Sequence, residues 1–260
     1  MPATLTPNAS VSRNTFLTLI AGWIGFVVLF WIIATVGKPA IIPLLPGPGE
    51  VLKALFAQYN EGALNQLLTS LFISLEAIFW ALLIGLGLCY LATIPLFRLF
   101  VEVVSKLRFL SLAGITLVFL LLAPTGHILK VSLLAFTIIV FLVNDMLQVI
   151  DDINPGRFDH ARTLGLSNWL VLREVVIRGT LPEAFEALRM NAAMAWMMLA
   201  TVEGLSRSEG GIGTLLISVQ RSGNYAAVFA VQLLILAVGI GQDYLIKGLK
   251  AIACPYTVRH

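Results

Sequence analysis

Six stretches of this 260-residue chain are long and apolar in a way that soluble domains rarely allow. The first, Phe16–Val36, holds about 20 predominantly apolar residues, which is the length of one bilayer crossing. Leu67–Leu96, Phe109–Ala123, Ile128–Ile150, Pro182–Val202 and Ala226–Ile246 predict five more, the third of them short. Composition agrees: 58% of residues are hydrophobic and 12% charged, against about 45–50% and about 25% in ordinary soluble domains. The expectation is an all-α integral membrane protein with six transmembrane helices. The first run begins too late and is too long for a cleaved signal peptide, and no small-x-small site follows it, so it should persist as an anchor. Cys89 lies in an apolar run and Cys254 near the C-terminus; neither spacing makes a metal site, and their positions argue against a disulfide.

The connections set the orientation. Four prolines and two glycines between Pro39 and Gly49 forbid a continuous helix. Glu50–Gln58 then places Val51, Leu52, Leu55 and Phe56 at helical spacing, as in a short amphipathic helix on the outer surface. Pro124-Thr125-Gly126-His127 reads as a tight outer turn, and Leu205–Tyr225 as an outer loop. With the N-terminus inside, eleven basic residues fall in the cytoplasm (Arg13, Arg98, Lys106, Arg108, Arg157, Arg162, Arg173, Arg178, Lys247, Lys250, Arg259) and five outside (Lys38, Lys53, Lys130, Arg207, Arg221). That is the sense of the positive-inside rule. Residues 1–15 and 251–260 are then cytoplasmic tails flanking one transmembrane domain, 16–250, and the net charge of +3 needs no nucleic-acid partner.

Residues 157–182 interrupt this pattern. Asp159–Pro182 stays polar for more than a dozen residues between two apolar runs and carries Arg162, Arg173 and Arg178. Read as a helix, it places Ala161, Leu164, Gly165 and Trp169 on one side, and Ala161 with Gly165 forms a small-residue patch that another chain can approach closely. A docking helix for a soluble partner is expected.

At these residues the chain resembles the permease subunits of ABC importers, whose cytoplasmic loop carries E-A-A-x-x-x-G. Here the pattern is Asp159-His160-Ala161-x-x-x-Gly165, followed by Leu181-Pro182. The run ARTLG with Trp169, Arg173, Val175-Val176 and Leu181-Pro182 resembles the nitrate/sulfonate/taurine branch, as does LPGPGEVLKAL after the first span. Asp159-His160 replaces the usual Glu-Ala but keeps an acid in the lead, and Arg178 stands where many relatives have a proline. The resemblance implies a type I importer permease in a bacterial inner membrane, both ends cytoplasmic. It also implies a dimer of permeases, an identical copy being the expected partner. Two ATPase subunits dock below on Asp159, His160, Ala161, Arg162, Gly165 and Leu166, and a solute-binding protein docks above. ATP and Mg belong to the ATPase, and this chain needs no cofactor. The solutes implied are small anions such as nitrate, bicarbonate or organosulfonates.

Ionisable and amide groups at membrane depth are the candidates for the solute path, because each is costly there. They are Glu76, Asn144, Arg189, Asn191 and Glu203. Glu186 and Arg189, three apart on one helical stripe, read either as a self-neutralising ion pair or as path-lining groups that attract an anion. Glu203 reads either as a solvated helix end or as the acid that relatives carry before a glycine-rich outer segment. Glu76 is expected to be buried against a polar partner. Gly210-Gly211-Ile212-Gly213 is no phosphate loop, since G-x-x-x-x-G-K-[ST] occurs nowhere in the chain. With His127, His160 and His260 the only histidines and no nucleophile paired to a base, an enzyme is not expected. Two alternatives stand beside the anion importer: the same permease for another solute, such as a vitamin precursor, and a membrane scaffold that transports nothing.

Overall fold

The computed structural model describes residues 13–36, 46–122, 126–205 and 210–255. Most of the two expected tails, Pro39 and Pro43, the Pro124-Thr125 turn, and Lys38, Arg207 and Arg259 lie outside the described residues. Within them the chain is helical and contains no strand.

The helices are α1 (Arg13–Val36), α2 (Pro48–Asn60), α3 (Ala63–Leu91), α4 (Pro95–Lys106), α5 (Leu112–Leu122), α6 (Gly126–Asp151), α7 (Pro155–Thr163), α8 (Asn168–Val171), α9 (Leu181–Leu205), α10 (Ile212–Arg221) and α11 (Tyr225–Ala253). Prolines open three of them. Pro48, Pro95 and Pro155 each sit in the first turn, where a missing N–H costs nothing. Glu50 reaches back to accept the Gly47 N–H at 3.0 Å, and Asn154 accepts from the Gly156 N–H at 2.8 Å. The expected amphipathic helix after the first span is α2.

Among the described residues three helices, α3, α6 and α11, are long and apolar enough to cross a membrane unaided. The third expected span, Phe109–Ala123, is not a straight crossing. A 3-10 turn at Leu107–Phe109 and an extended Leu110 break the chain, and the two sides of the break differ in direction by 117°. At 11 residues α5 is about 16 Å long, too short alone, and the bent pair α4–α5 together passes as a further crossing among the described residues. Helix α9 is long enough at 25 residues but carries Glu183, Glu186, Arg189 and Glu203. The six-span expectation therefore exceeds what length and apolarity alone establish.

Helix α6 is the hub, packing along α3 on one side and α9 on the other, with α10 and α11 closing against α9. The larger core joins Ile73, Ala77 and Ala81 of α3 to Leu133, Leu134 and Ile138 of α6, and to Ala192, Ala195 and Leu199 of α9. Lipid tails are as apolar as these side chains, so close packing rather than expulsion from water holds the helices together. Small residues make it possible. A side chain on Gly213 would put its Cβ 2.5 Å from the Ala200 Cα, and one on Gly85 would put it 3.0 Å from Leu142 Cδ2.

Candidate functional site

Among the described residues several places hold polar groups that could work on a solute or a partner. The loop after α6 is one of them. Helix α7 does not continue to Trp169; it ends at Thr163. Gly165 takes the left-handed conformation (φ 75°), its N–H donates to the Arg162 carbonyl at 2.9 Å, and the Leu166 N–H donates to the Ala161 carbonyl at 3.3 Å. These two bonds form a Schellman closure, in which the glycine supplies positive φ at no steric cost. Ser167 then caps α8, and Leu172–Ile177 follows as a π-helix. The single docking helix expected over this stretch is thus three short pieces. The small-residue patch is also corrected, because Ala161 is buried within the chain while Gly165 terminates the helix. What the segment presents is Asp159, His160, Arg162, Leu164 and Trp169, all exposed, with Leu166 half-buried.

The second place is a groove of about 780 Å³ between α9, α10 and α11. Its walls include Trp196, Met197, Leu216, Gln232, Asp243 and Tyr244. Behind Trp196 lies a buried polar network: the indole Nε1–H donates to Gln242 Oε1 at 2.7 Å, and the Ser74 hydroxyl donates to the same oxygen at 3.4 Å. Beside the groove Arg189 Nε stands 3.1 Å from Asp243 Oδ1, and Arg189 Nη1 is 3.5 Å from Glu186 Oε2. Glu186 Oε1 is held in turn by Lys250 Nζ at 2.7 Å. The expected Glu186–Arg189 pair therefore exists as part of a four-residue chain across α9 and α11. Charged side chains at membrane depth face water or protein, yet Arg189 and Asp243 are 32% and 42% exposed on the isolated chain.

At the far end of α9 Glu203 is 0% exposed, which overturns the solvated-helix-end reading. It accepts the Ser70 hydroxyl at 2.5 Å and the Gly213 N–H at 2.6 Å. Ser70 Oγ accepts the Ile212 N–H at 2.8 Å, and Gln66 Oε1 accepts the Gly211 N–H at 2.6 Å. Lys130, counted above among the outer charges, is fully buried here and donates to the Gly210 carbonyl at 2.7 Å. The first amides of α10 are thereby satisfied by side chains of α3 and α9. A carboxylate is the favoured group at a helix N-terminus.

The remaining candidates separate. Asn144 and Asn191 converge on Asp145, Asn144 Nδ2 donating to Oδ1 at 3.2 Å and Asn191 Nδ2 to Oδ2 at 2.9 Å. Asn191 is buried and also donates to the Ala187 carbonyl at 2.8 Å, so its amide nitrogen ties Asp145 of α6 to α9. Glu76 has the polar partner expected of it, His127 at 2.9 Å, but is half-exposed rather than buried. It borders a separate, mostly apolar cavity of about 410 Å³ between α3, α5 and α6. Of the five path candidates only Arg189 stands beside the large groove.

Residues 51–250 match the family described as the inner membrane component of binding-protein-dependent transport systems. The chain belongs to this family. It is 25% identical over 275 aligned positions to the taurine transport system permease protein of Escherichia coli, spanning 98% of this chain and 92% of that one. A putative ABC transporter permease of Methanocaldococcus jannaschii is 32% identical over 98 residues, 38% of this chain and 36% of the relative. Among solved structures, one described as an amino acid ABC transporter with histidines superposes with a TM-score of 0.60 at 18% identity, covering 76% of this chain and 94% of that one. The chain is an ABC transporter permease subunit of the nitrate/sulfonate/taurine branch, a multi-pass inner membrane protein of a transporter component that is generally non-catalytic. Its family works with ATPase and solute-binding partners.

Sequence reasoning missed several polar residues of this permease. Asp243 and Gln242 form a polar pair inside the sixth apolar run, a signal of the same kind that flagged Asn144. Ser70 and Gln66 carry no such mark, because a serine or glutamine near a span end is unremarkable until Glu203 is brought beside it.

Proposed function

We propose that this permease forms the membrane path of an ATP-driven importer for a small anion-bearing solute, an organosulfonate being the first candidate. The observation that carries the reading is the exposed, Schellman-closed segment at 155–170, whose Asp159, His160, Arg162, Leu164 and Trp169 project outside the bundle with no internal load to bear. In this reading the segment seats in a groove of a cytoplasmic ATPase subunit, with two such subunits serving a pair of identical permeases. The chain itself holds no nucleotide; ATP and Mg sit on the ATPase. The α9–α11 groove faces the second permease and becomes part of the path, which explains charged groups at membrane depth. Both termini are cytoplasmic, and α2 and α10 lie at the outer surface, where the solute-binding protein delivers its cargo. Closure of the ATPase pair on ATP displaces the segment and shifts the spans between inward-open and outward-open packings; each nucleotide state must favour one of them. The relative's taurine system supports the organosulfonate assignment.

The test is ATP-dependent uptake by the reconstituted complex. Around Gly165 a Cβ meets nothing within 4 Å, so only the positive φ penalises a side chain within this subunit. Gly165→Ala should cost about 1 kcal/mol of local stability and leave most uptake. Gly165→Trp should abolish uptake while the permease stays folded, because the added bulk meets the ATPase. Full uptake with Gly165→Trp, or a purified permease that retains no ATPase, would refute the reading and favour a scaffold.

A further inference from the structure

We infer that Arg108 is the side chain on which the solute's anionic group seats inside the membrane, in a small cavity where the α4–α5 elbow meets α6 and α9. The inference rests on the anion-importer reading and names a residue for it; the α9–α11 groove is a separate space. On the sequence Arg108 falls among the cytoplasmic charges. The structure carries it elsewhere. Helix α4 starts at the Asp151 end of α6, where Arg98 Nη2 donates to both carboxylate oxygens of Asp151 at 3.0 Å. Val101 of α4 is fully buried and shares a core with Val143 and Met146 of α6. The 3-10 turn that follows then brings Arg108 to a cavity of about 100 Å³ together with Thr137, Val140 and Phe141. Those three residues lie about 15–21 Å short of Asp151 along α6. Measured from that end, this is the middle of a hydrocarbon core about 30 Å thick.

A guanidinium at that depth is costly, and charged side chains there face protein or a water-filled path and mark where ions and solutes travel. Among the described residues no carboxylate pairs with Arg108; the ion pairs all fall on other cations. Its guanidinium meets the Phe109 ring, 5.0 Å from the centroid, a contact that orients the charge without neutralising it. Thr137 donates its hydroxyl to the Leu133 carbonyl at 2.9 Å, and the other walls, among them Ile115, Phe136 and Met198, are apolar. Arg108 is thus the charged group of the cavity, in surroundings where a charge acts far more strongly than in water. The volume holds about three waters, or one compact oxyanion group, and not a whole organic solute. The planar fork of an arginine matches the paired oxygens of such a group. The cavity also lies where a path would run. On α9 Met190, Ala193, Met197 and Thr201 form an exposed stripe. Ala193 and Met197 line the α9–α11 groove, while Met198 lines the Arg108 cavity. The two spaces flank one stripe of α9, on the side given above to the second permease.

The test reads the charge of the cavity. With Met198→Cys as the target, two methanethiosulfonate reagents of equal reach, one ending in sulfonate and one in trimethylammonium, are timed on the permease–ATPase complex. Each rate is divided by the same reagent's rate with free cysteine, and the complex with native Met198 supplies the background from Cys89 and Cys254. The anionic reagent should react about tenfold faster, the effect of a cleft lined by one sign of charge. Arg108→Gln should erase that preference and Arg108→Lys should keep it; a residue that only held the elbow in shape would not move the ratio. On the complete complex, Arg108→Gln should lower uptake about tenfold or more, as expected for the loss of a charge-assisted contact. Arg108→Lys, which keeps the charge but not the fork, should lower it less. Assembly with the ATPase is checked for each variant by gel filtration; if Arg108→Gln does not assemble, the ratios with Arg108 and with Arg108→Lys decide. Equal rates with Arg108 in place, a preference that survives Arg108→Gln, or a target thiol that neither reagent reaches overturns the inference. So does full uptake by Arg108→Gln, a result that leaves the importer reading standing. An unaltered complex that assembles but drives no uptake on ATP strikes the importer reading instead.

Discussion

Helix α9 carries two charged sites, and they are built in opposite ways. Near its end, Glu203 is sealed from solvent, accepts a hydroxyl and a backbone amide, and fixes the first turn of α10 against α3 and α9. About 21 Å earlier along the same helix, Arg189 is partly exposed, shares Asp243 and Glu186 loosely, and stands behind Asp243, which lines the groove of about 780 Å³. The difference teaches how to sort polar residues in a membrane bundle. A buried group whose partners are all supplied by its own chain is holding the fold. A half-satisfied group at the edge of a cavity is available to something that arrives from outside.

The contrast makes stability and transport separable. Glu203→Ala should be the most damaging to the fold, because it strands the Gly213 N–H and the Ser70 hydroxyl in a dry site. Each buried unsatisfied donor costs about 1–3 kcal/mol, so a loss on the order of 3 kcal/mol is expected, read as a large drop in thermal unfolding temperature in detergent. A wild-type melting curve for Glu203→Ala would erase the distinction between the two sites. Arg189→Met should do the reverse. Its ion pairs are partly exposed, so stability should change by no more than about 1 kcal/mol, while solute uptake falls at least tenfold; unchanged uptake at normal expression removes Arg189 from the path. Trp196→Phe, between the two sites, should have the smallest effect on stability. It deletes one interhelical hydrogen bond to Gln242, worth about 0.6 kcal/mol on average in a membrane protein, and thermal melting should shift only slightly.

Much of the bundle was legible beforehand. The short amphipathic helix after the first span, the apolar lengths of α3, α6 and α11, and the polar interruption at 157–182 follow from periodicity and composition, which need no knowledge of neighbours. The failures are equally specific. Residues 159–169 read as one helix because their spacing permits it, but Gly165 at positive φ ends it, its own N–H and that of Leu166 closing the Arg162 and Ala161 carbonyls. Phe109–Ala123 read as a crossing because it is apolar, yet an extended Leu110 turns the chain by more than a right angle. Glu203 has two readings in the sequence, one of them solvated, because it ends an apolar run. Only the return of α10 and the approach of Ser70, 133 positions away, enclose it.

The sequence by itself determined that this protein lives in a membrane, that it is helical, and which segment between the apolar runs is polar. Those properties depend on apolar length, charge and a local motif, all of which are written along the chain. Which ionisable groups are sealed, which are shared, and which stand open beside a cavity was decided by tertiary structure alone. A charge acquires its role from the atoms within a few ångströms of it, and for Glu203, Lys130, Asp243 and Arg189 the groups that satisfy or fail to satisfy them arrive from other helices.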